Sequence, residues 1–185
     1  TAILYLASSN LSGFNVCPMA SDGCKKSCLV SSGHGAFKNV LEGRINKTRW
    51  YIQERKTFLM QLKKEIIQFI KLAERKELTP CIRLNGTSDI SFENTTIFSD
   101  FPNVQFYDYT KIYKRAIKYA KGQLPNNYHL TYSLNEDNKK LAFNILKLGG
   151  NISAVFRKYI PNNFKGFKVI NADNSDLRFK DPKNV

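Results

Sequence analysis

The sequence predicts an α/β protein, namely a partial, open barrel of about six mainly parallel strands with a cysteine-rich loop after the first strand. Two observations predict this class. Short apolar runs alternate with amphipathic helical stretches through the second half of the chain, which is typical of a parallel sheet. The apolar runs also lack a clean alternation with polar residues, as expected when helices cover both faces of the sheet.

The length of the chain decides between the possible parallel architectures. With 185 residues, the chain is long enough for a single domain, residues 1–185, with a core of its own. A complete eight-stranded α/β barrel usually needs about 250 residues. A partial barrel is therefore favoured, and a doubly wound sheet is the alternative.

The first half of the chain is predicted to contain one strand, one irregular segment and one long helical stretch. Residues 3–7 read as a short buried strand. Residues 8–35 are too polar and too often interrupted by glycine and serine for a regular element, and long irregular segments in compact domains are usually functional. From about residue 39 to residue 76, apolar side chains recur every three or four positions, which indicates one helix or two helices broken near Gly43.

The second half alternates strands with helices in a regular way. The predicted helices cover residues 111–121 and 137–148, and Gly149 with Gly150 is a typical end signal for the second of them. No apolar run approaches the roughly 20 residues of a membrane-spanning helix, so no membrane partner is expected. The predicted strands cover residues 81–90, 104–111, 128–136, 152–158 and 167–173.

Basic residues dominate the charge of the chain. Lysine and arginine number 29 against 15 aspartates and glutamates, which gives a formal net charge of +14. Such an excess attracts polyanions, and nucleic acid is the predicted partner. The face expected to bind it combines the stretch of Arg44, Lys47, Arg49, Arg55 and Lys56 with Lys25 and Lys26. The alternative is that the lysines only keep the protein soluble.

Three of the four cysteines lie within twelve residues, inside segment 8–35. Cys17, Cys24 and Cys28 have the spacing C-x6-C-x3-C, and thiolates are soft ligands that suit iron–sulfur clusters and zinc. Three thiolates can hold a [4Fe–4S] cluster and leave its fourth iron open to a ligand. His34 would complete a CCCH zinc site, which is the alternative, and three reduced cysteines without metal are the third possibility. Cys81 lies in an apolar run and is predicted to be a small core residue.

Polar side chains cluster where the predicted strands end. Ligands of parallel α/β sheets bind at the carboxyl ends of the strands. The sharpest cluster is NGTSD, Asn85 to Asp89, in which Gly86 would let the backbone approach a ligand closely. A helix-capping turn is the alternative for this segment. The predicted ligand-binding residues are Asn85, Gly86, Thr87, Ser88, Asp89, Asp108, Lys111, Ser133, Asn135 and Arg157.

Familiar catalytic motifs do not explain this chain. It has no P-loop, no dinucleotide-binding GxGxxG, no GxSxG nucleophile elbow and no HExxH zinc motif. There are only two histidines, and His129 alternates with apolar neighbours as a core or sheet-face residue would. Catalytic residues therefore stay unassigned.

Several segments resemble a known family. The stretches LSGFNVCPMASDGCKKSCL, RINKTRWYIQERKTFL, IRLNGTSDI, VQFYDYTK and VINADNSDLRFKDPK are similar to the gene-product-88 family of phages and plasmids. The resemblance implies a cytoplasmic protein of the bacterial host cell. Family members continue past the final DPKNV, which implies that the chain is a fragment, and they usually carry arginine at position 34, which favours three cysteines as the ligand set.

More remotely, the layout resembles radical S-adenosylmethionine enzymes. These enzymes have a partial α/β barrel, a three-cysteine loop after the first strand and a glycine-containing cofactor motif after the second, where NGTSD stands here. The cysteine spacing departs from the usual C-x3-C-x2-C of that superfamily. The resemblance implies a [4Fe–4S] enzyme that binds S-adenosylmethionine, with an unknown substrate and oligomeric state. The alternative is a basic nucleic-acid-binding protein with a structural zinc or iron–sulfur site.

Overall fold

A five-stranded parallel sheet forms the centre of the computed structural model, which describes residues 1 to 185. The strands lie side by side in chain order, and all four pairings are parallel. This confirms the mixed α/β class, with five strands in the sheet instead of about six. The strands are β1 (Ala2–Ile3), β2 (Cys81–Arg83), β3 (Gln105–Thr110), β4 (Tyr128–Ser133) and β5 (Ile152–Ser153).

The strand order decides how the chain is wound. Each strand lies beside its predecessor, and parallel crossovers are nearly always right-handed. All crossovers therefore progress in one direction and leave their helices on the same face. A doubly wound sheet needs a reversal of strand order, so that alternative is wrong. The pairing shows an open sheet with β1 and β5 at its edges.

Six α-helices accompany the strands, and the long helical stretch is divided between two of them. The division falls at Glu54, whose φ of −130° and ψ of 53° leave the helical region, and not near Gly43. The turn brings Trp50 and Tyr51 edge-on against Phe58, at ring distances of 5.2 and 5.3 Å, and these contacts stabilise the break. The helices are α1 (Asp22–Lys26), α2 (Lys38–Gln53), α3 (Arg55–Arg75), α4 (Ile97–Asp100), α5 (Tyr113–Ala120) and α6 (Lys139–Lys147).

The hydrophobic core lies on one face of the sheet. Side chains of alternate strand positions, such as Leu84, Phe106 and Leu130, pack there against Phe58 and Leu62 of α3. The continuation of the same face, at Tyr132, packs against α5 and α6. The helices therefore cover one face, and the prediction that they cover both is wrong.

The opposite face of the sheet is covered by the end of the chain. Tyr107 contacts Phe179 at a ring distance of 5.6 Å and donates a hydrogen bond to Asp176. His129 lies on this face half-buried, where its Nδ1 pairs with the Tyr119 hydroxyl at 2.7 Å, as predicted for a sheet-face histidine.

The last predicted strand does not join the sheet. In residues 167–173 only β7 (Phe167–Lys168) is extended and paired, and it pairs antiparallel with β6 (Asn163–Phe164) as a small hairpin. The edge of β5 instead meets the final residue, since the Ile152 N–H donates to the carbonyl of Val185 at 2.9 Å. None of the helices combines the length and the apolar character needed to cross a bilayer.

Candidate functional site

A cavity of about 960 Å³ opens at the carboxyl ends of β2, β3 and β4. A volume of this order suits a small-molecule ligand or cofactor. Three parts of the chain that are distant in sequence meet there: the cysteine segment, the NGTSD turn and the polar ends of the strands. The polar lining residues include Cys17, Cys24, Cys28, Arg83, Asn85, Gly86, Thr87, Ser88, Asp89, Tyr109, Thr110, Lys111, Ser133, Asn135, Glu136, Asp173 and Asp176.

The three cysteines arrive at the cavity through a short helix and its flanks. Segment 8–35 is not wholly irregular, because Cys24 lies in α1 and Cys28 follows it. The Ser21 side chain caps α1 by accepting from the Cys24 N–H at 3.2 Å. The Gly23 N–H donates to Glu136 after β4 at 2.9 Å, which fastens the cysteine helix to the far side of the cavity.

The thiols lie close enough to influence one another but are not arranged around one point. Burial raises the pKa of Cys17 to about 11, and the neighbouring Cys28 and Cys24 thiols add to that rise. The Cys17 thiol donates to the carbonyl of Thr87 at 3.6 Å. Across residues 1–185, no group of three histidine, cysteine, aspartate or glutamate side chains converges as a metal-holding set.

The remaining cysteine and histidine of interest lie elsewhere. Cys81 is buried, with its sulfur 3.0 Å from the Thr1 hydroxyl, in agreement with its prediction as a core residue. His34 is exposed and packs edge-on against Phe37 at a ring distance of 5.6 Å. It does not line the cavity.

Most polar side chains of the NGTSD turn form hydrogen bonds within the protein. The buried Asn85 side chain accepts from the Ser88 hydroxyl and the Ile90 N–H, at 2.9 and 2.7 Å. The Thr87 hydroxyl donates to the carbonyl of Leu6. The turn therefore lines the cavity, while its side-chain hydrogen bonds stabilise the turn itself.

Gly86 is required for a reason other than the predicted one. Its N–H donates to the carbonyl of Leu4 at 3.0 Å and extends the β1–β2 pairing. A Cβ at this position would lie 2.7 Å from the Tyr5 ring and 2.8 Å from the Ile3 side chain. Packing of β1 thus explains the glycine, whereas the sequence suggested close approach of a ligand.

A buried ionic cluster supports the cavity from below. Asp89 accepts from the Thr110 hydroxyl and the Lys111 N–H, both at 2.7 Å, and pairs with Arg115. Arg115 also forms a two-pronged pair with Glu93, at 2.7 and 2.9 Å. Such bidentate pairs fix geometry, so the cluster holds the NGTSD turn against α5.

Asp108 belongs to this cluster and not to the cavity. It accepts from the Asn85 backbone N–H at 2.7 Å, from the Asn85 amide at 3.0 Å and from the Tyr128 hydroxyl at 3.2 Å. Only 1% of the residue is exposed, and burial raises its pKa to about 6. The prediction that Asp108 lines the ligand pocket is therefore wrong, because its strand position faces the helix side of the sheet.

Two other predicted positions lie away from the cavity. Arg157 is exposed beside Tyr159 and Asn163, because β5 ends at Ser153 and the chain leaves the sheet before reaching it. Arg44, expected on a nucleic-acid-binding face, is 9% exposed, donates to the carbonyl of Val30 at 3.1 Å and stacks over Tyr5. Its guanidinium stabilises the cysteine segment and is not presented to solvent.

Sequence reasoning did not single out Arg83, which lies on the opposite wall of the cavity. Arg83 lies one residue before the polar end of its strand, and its guanidinium stacks 4.6 Å over the Tyr109 ring. Asp176 approaches the same place from the end of the chain. Alternation along β2 could have pointed to Arg83, since a charged residue between apolar neighbours in a buried strand needs a partner.

These features define the class as a parallel α/β protein with three thiols at a ligand-sized cavity. The particular family follows from a comparison with family models, in which the one described as Gene product 88 matches residues 1–185. The chain belongs to that family, as its motifs suggested. No match was found among curated proteins or among solved structures. The comparisons give no support to the more remote resemblance to radical S-adenosylmethionine enzymes.

Proposed function

We propose that this protein is a thiolate metalloprotein that holds a [4Fe–4S] cluster on Cys17, Cys24 and Cys28 and binds a small ligand in the adjoining cavity. The observation that carries the proposal is that all three cysteines line the same cavity as the polar strand ends. In its specific form, the ligand is S-adenosylmethionine, the protein is a radical-SAM-like enzyme of unknown substrate and the open sheet is a partial barrel. The one-directional strand order supports the barrel, because α/β barrels are wound in this way.

The donor set fits such a cluster in its chemistry. Three thiols from one short segment are soft ligands, and a metal lowers the pKa of a thiol enough to remove its proton. The Cys17 thiol would exchange its bond to Thr87 for a bond to metal, and the side chains would have to close around one point. Lys111 lines the cavity near Glu136, and its side chain forms no hydrogen bond within the chain, so its ammonium can help to balance an anionic centre.

The residues of the chain would position the ligand, and the cluster would supply one-electron chemistry at its open iron. The anchored Asp89 keeps the NGTSD turn in place beside Cys17, and Glu136 holds α1 against the other wall. The cavity lining carries two cations, Lys111 and Arg83, and four carboxylates, those of Asp89, Glu136, Asp173 and Asp176, so it can pair with a ligand that has both an acidic and a basic group.

The test is anaerobic purification and reconstitution of the full chain with iron and sulfide. We expect brown protein with broad absorbance near ~400 nm and about four irons per chain. Cys17→Ala, Cys24→Ala and Cys28→Ala should each lose the colour, whereas Cys81→Ala should keep it, because Cys81 is buried away from the cavity. Calorimetric titration of the brown protein with S-adenosylmethionine then tests the ligand. Wild-type protein that binds no iron under these conditions would reject the proposal.

The second candidate is a basic nucleic-acid-binding protein whose metal is only structural. The observation that favours it is the net charge of +14, with exposed lysines along α2 and α3. Colourless protein that contains one zinc per chain would favour this candidate.

Binding to single-stranded DNA and RNA should be titrated at two salt concentrations. Affinity that depends on phosphate contacts falls with salt by roughly one log–log unit per contact. Lys47→Glu with Lys56→Glu should weaken binding, and Lys118→Glu with Lys147→Glu, which changes charge equally on α5 and α6, serves as the control. Absence of binding at low salt would exclude this candidate.

A further inference from the structure

Arg83 has an unusual environment at the wall of the cavity. Its side chain is 18% exposed, and its Nε–H is buried without any hydrogen-bond partner. Its contact with Asp176, from Nη1 to Oδ2, is 3.5 Å long, at the outer limit of a hydrogen bond. A buried guanidinium with so few acceptors is under-satisfied, and leaving such donors unpaired costs free energy.

The same place already binds one carboxylate, which belongs to the chain itself. Asp176 Oδ1 accepts from the Tyr109 hydroxyl and Oδ2 from the Tyr107 hydroxyl, both at 3.0 Å. Burial raises the pKa of Tyr107 to about 12 and that of Tyr109 further, so both hydroxyls keep their protons and donate at neutral pH. Two phenols and a guanidinium thus form a pocket for a planar group with two acceptor oxygens.

Asp176 is held in this pocket by its carboxylate contacts and not by packing. Half of its side chain is exposed, and the residues before it, 171–175, are exposed as well. Firm packing begins only at Arg178, which is 5% exposed and pairs with Asp181 at 3.2 Å. One contact ties the segment to this packing, a long hydrogen bond of 3.4 Å from the Arg178 guanidinium to the Ala172 carbonyl, so residues 171–176 can leave the sheet face once this bond and the Asp176 contacts are broken.

We propose that Arg83, Tyr107 and Tyr109 form a carboxylate-binding subsite of the cavity, which Asp176 fills until a small-molecule carboxylate displaces it. The incoming carboxylate takes the two tyrosine hydroxyls and pairs with Arg83 through Nε and a terminal nitrogen, the two-pronged geometry that guanidinium prefers. The Nε–H of Arg83 thereby gains an acceptor, which Asp176 does not provide. Since it lies in the cavity of the proposed ligand, the inference rests on that ligand-binding role and specifies an acidic group in the ligand.

The charges favour a carboxylate over a phosphate. Arg83 is the one cation in contact with Asp176, and a singly charged group balances it. Asp173 lines the same cavity, so a doubly charged phosphate would meet repulsion that the subsite does not offset.

The experiment follows the side-chain N–H signals of the arginines by NMR in the metal-free, ¹⁵N-labelled full chain during titration with acetate. Acetamide, which has the same shape without the charge, is the control probe. We expect acetate to shift the Arg83 Nε–H signal, identified by its absence in Arg83→Gln, and acetamide to leave it in place. Metal-free protein keeps this test separate from the cluster, so the subsite and the metal centre can fail independently.

Four variants sharpen the outcome. Asp176→Ala should bind acetate roughly tenfold more tightly, because the internal competitor is gone, and Asp137→Ala, at an exposed position that does not line the cavity, is the matched control with unchanged affinity. Arg83→Gln should abolish the binding. If Arg83→Gln does not fold, Arg83→Lys keeps the charge without the two-pronged geometry and should weaken binding severalfold. Equal shifts with acetate and acetamide, or unchanged affinity in Asp176→Ala, would overturn the proposal.

Discussion

Asp108 is buried at the centre of a hydrogen-bonded cluster beneath the cavity. It accepts three hydrogen bonds from Asn85 and Tyr128, and the Arg115 guanidinium lies nearby through Tyr128. The cost of removing the carboxylate from water still prevails, so burial raises its pKa to about 6. A residue of this kind stabilises the fold most when it carries a proton.

The raised pKa of Asp108 should be visible in the pH dependence of the free energy of unfolding. A raised pKa means that the folded state binds more protons than the unfolded state between about pH 4 and pH 6. The free energy of unfolding contributed by Asp108 should therefore fall as pH rises through that window, by at most about 3 kcal/mol. Urea denaturation at several pH values, with wild type compared with Asp108→Asn, isolates this group. A difference between the two proteins that does not change with pH would contradict it.

Alanine substitutions at Gly86 and Gly43 should change the stability of the protein in opposite directions. A methyl group at Gly86 would meet Tyr5 and Ile3, so Gly86→Ala should destabilise by about 1–3 kcal/mol through overpacking. A methyl group at Gly43 meets nothing within 4 Å on exposed helix α2, so Gly43→Ala should stabilise by about 0.5–1 kcal/mol. Denaturant titration measures both changes. Similar effects at the two positions would show that backbone freedom, and not packing, governs Gly86.

At the scale of the elements, α1 is too short to hold itself in place. It has five residues, none of them buried, and isolated helices of this length are not stable in water. Its position depends on contacts with other elements, chiefly the bond from the Gly23 N–H to Glu136 after β4. A Cβ at Gly23 would lie 2.6 Å from the Glu136 carboxylate, so a side chain here would push that flexible carboxylate away and lengthen the hydrogen bond.

Glu136→Gln should weaken this contact, because a carboxylate accepts more strongly than an amide. Hydrogen bonds from its own backbone N–H, from Ser21 and from Gly23 lower the pKa of Glu136, so in wild type the contact should persist below the usual titration of glutamate and be lost as pH falls further. Amide hydrogen exchange at Gly23 should become severalfold faster in Glu136→Gln. Asp137→Asn changes an exposed neighbour and should leave the rate unchanged; equal acceleration in both variants would refute the role of Glu136.

On the scale of the whole molecule, charge repulsion opposes the compact state. A net charge of +14 is confined to a smaller volume in the folded protein than in the unfolded chain. Some of the acidic residues, such as Asp89 and Glu93, pair with buried Arg115. They therefore do not reduce the repulsion among the surface lysines and arginines.

Added salt should therefore stabilise the protein. Raising ionic strength from about 0.01 M to about 0.15 M shortens the Debye length from roughly 30 Å to 8 Å, so the melting temperature should rise by a few degrees. Scanning calorimetry in sodium chloride measures the change. Replacing Lys118 and Lys147 with glutamine should reduce the salt dependence, and a melting temperature that falls with salt would contradict the expectation.

The sequence alone was enough to predict those features that depend on local pattern. Alternating apolar strands and amphipathic helices predicted the parallel α/β class, and the apolar neighbours of Cys81 predicted its burial. Gly149, with φ of 89°, ends α6 as predicted, because this left-handed conformation suits glycine. Polar strand ends likewise predicted most of the cavity lining, since parallel strands bring their carboxyl ends to one edge.

Tertiary structure decided what each polar group is used for. Asp108 follows the strand residue Tyr107 and Asp89 ends a polar turn, but only their partners, Tyr128 and Arg115, determine that one lies beneath the cavity and the other at its wall. The partner of Arg83 is Asp176, which lies 93 residues away, and no local periodicity encodes such a pairing. Burial follows from patterns within a few residues, whereas hydrogen-bond partners depend on which distant segments the fold brings together.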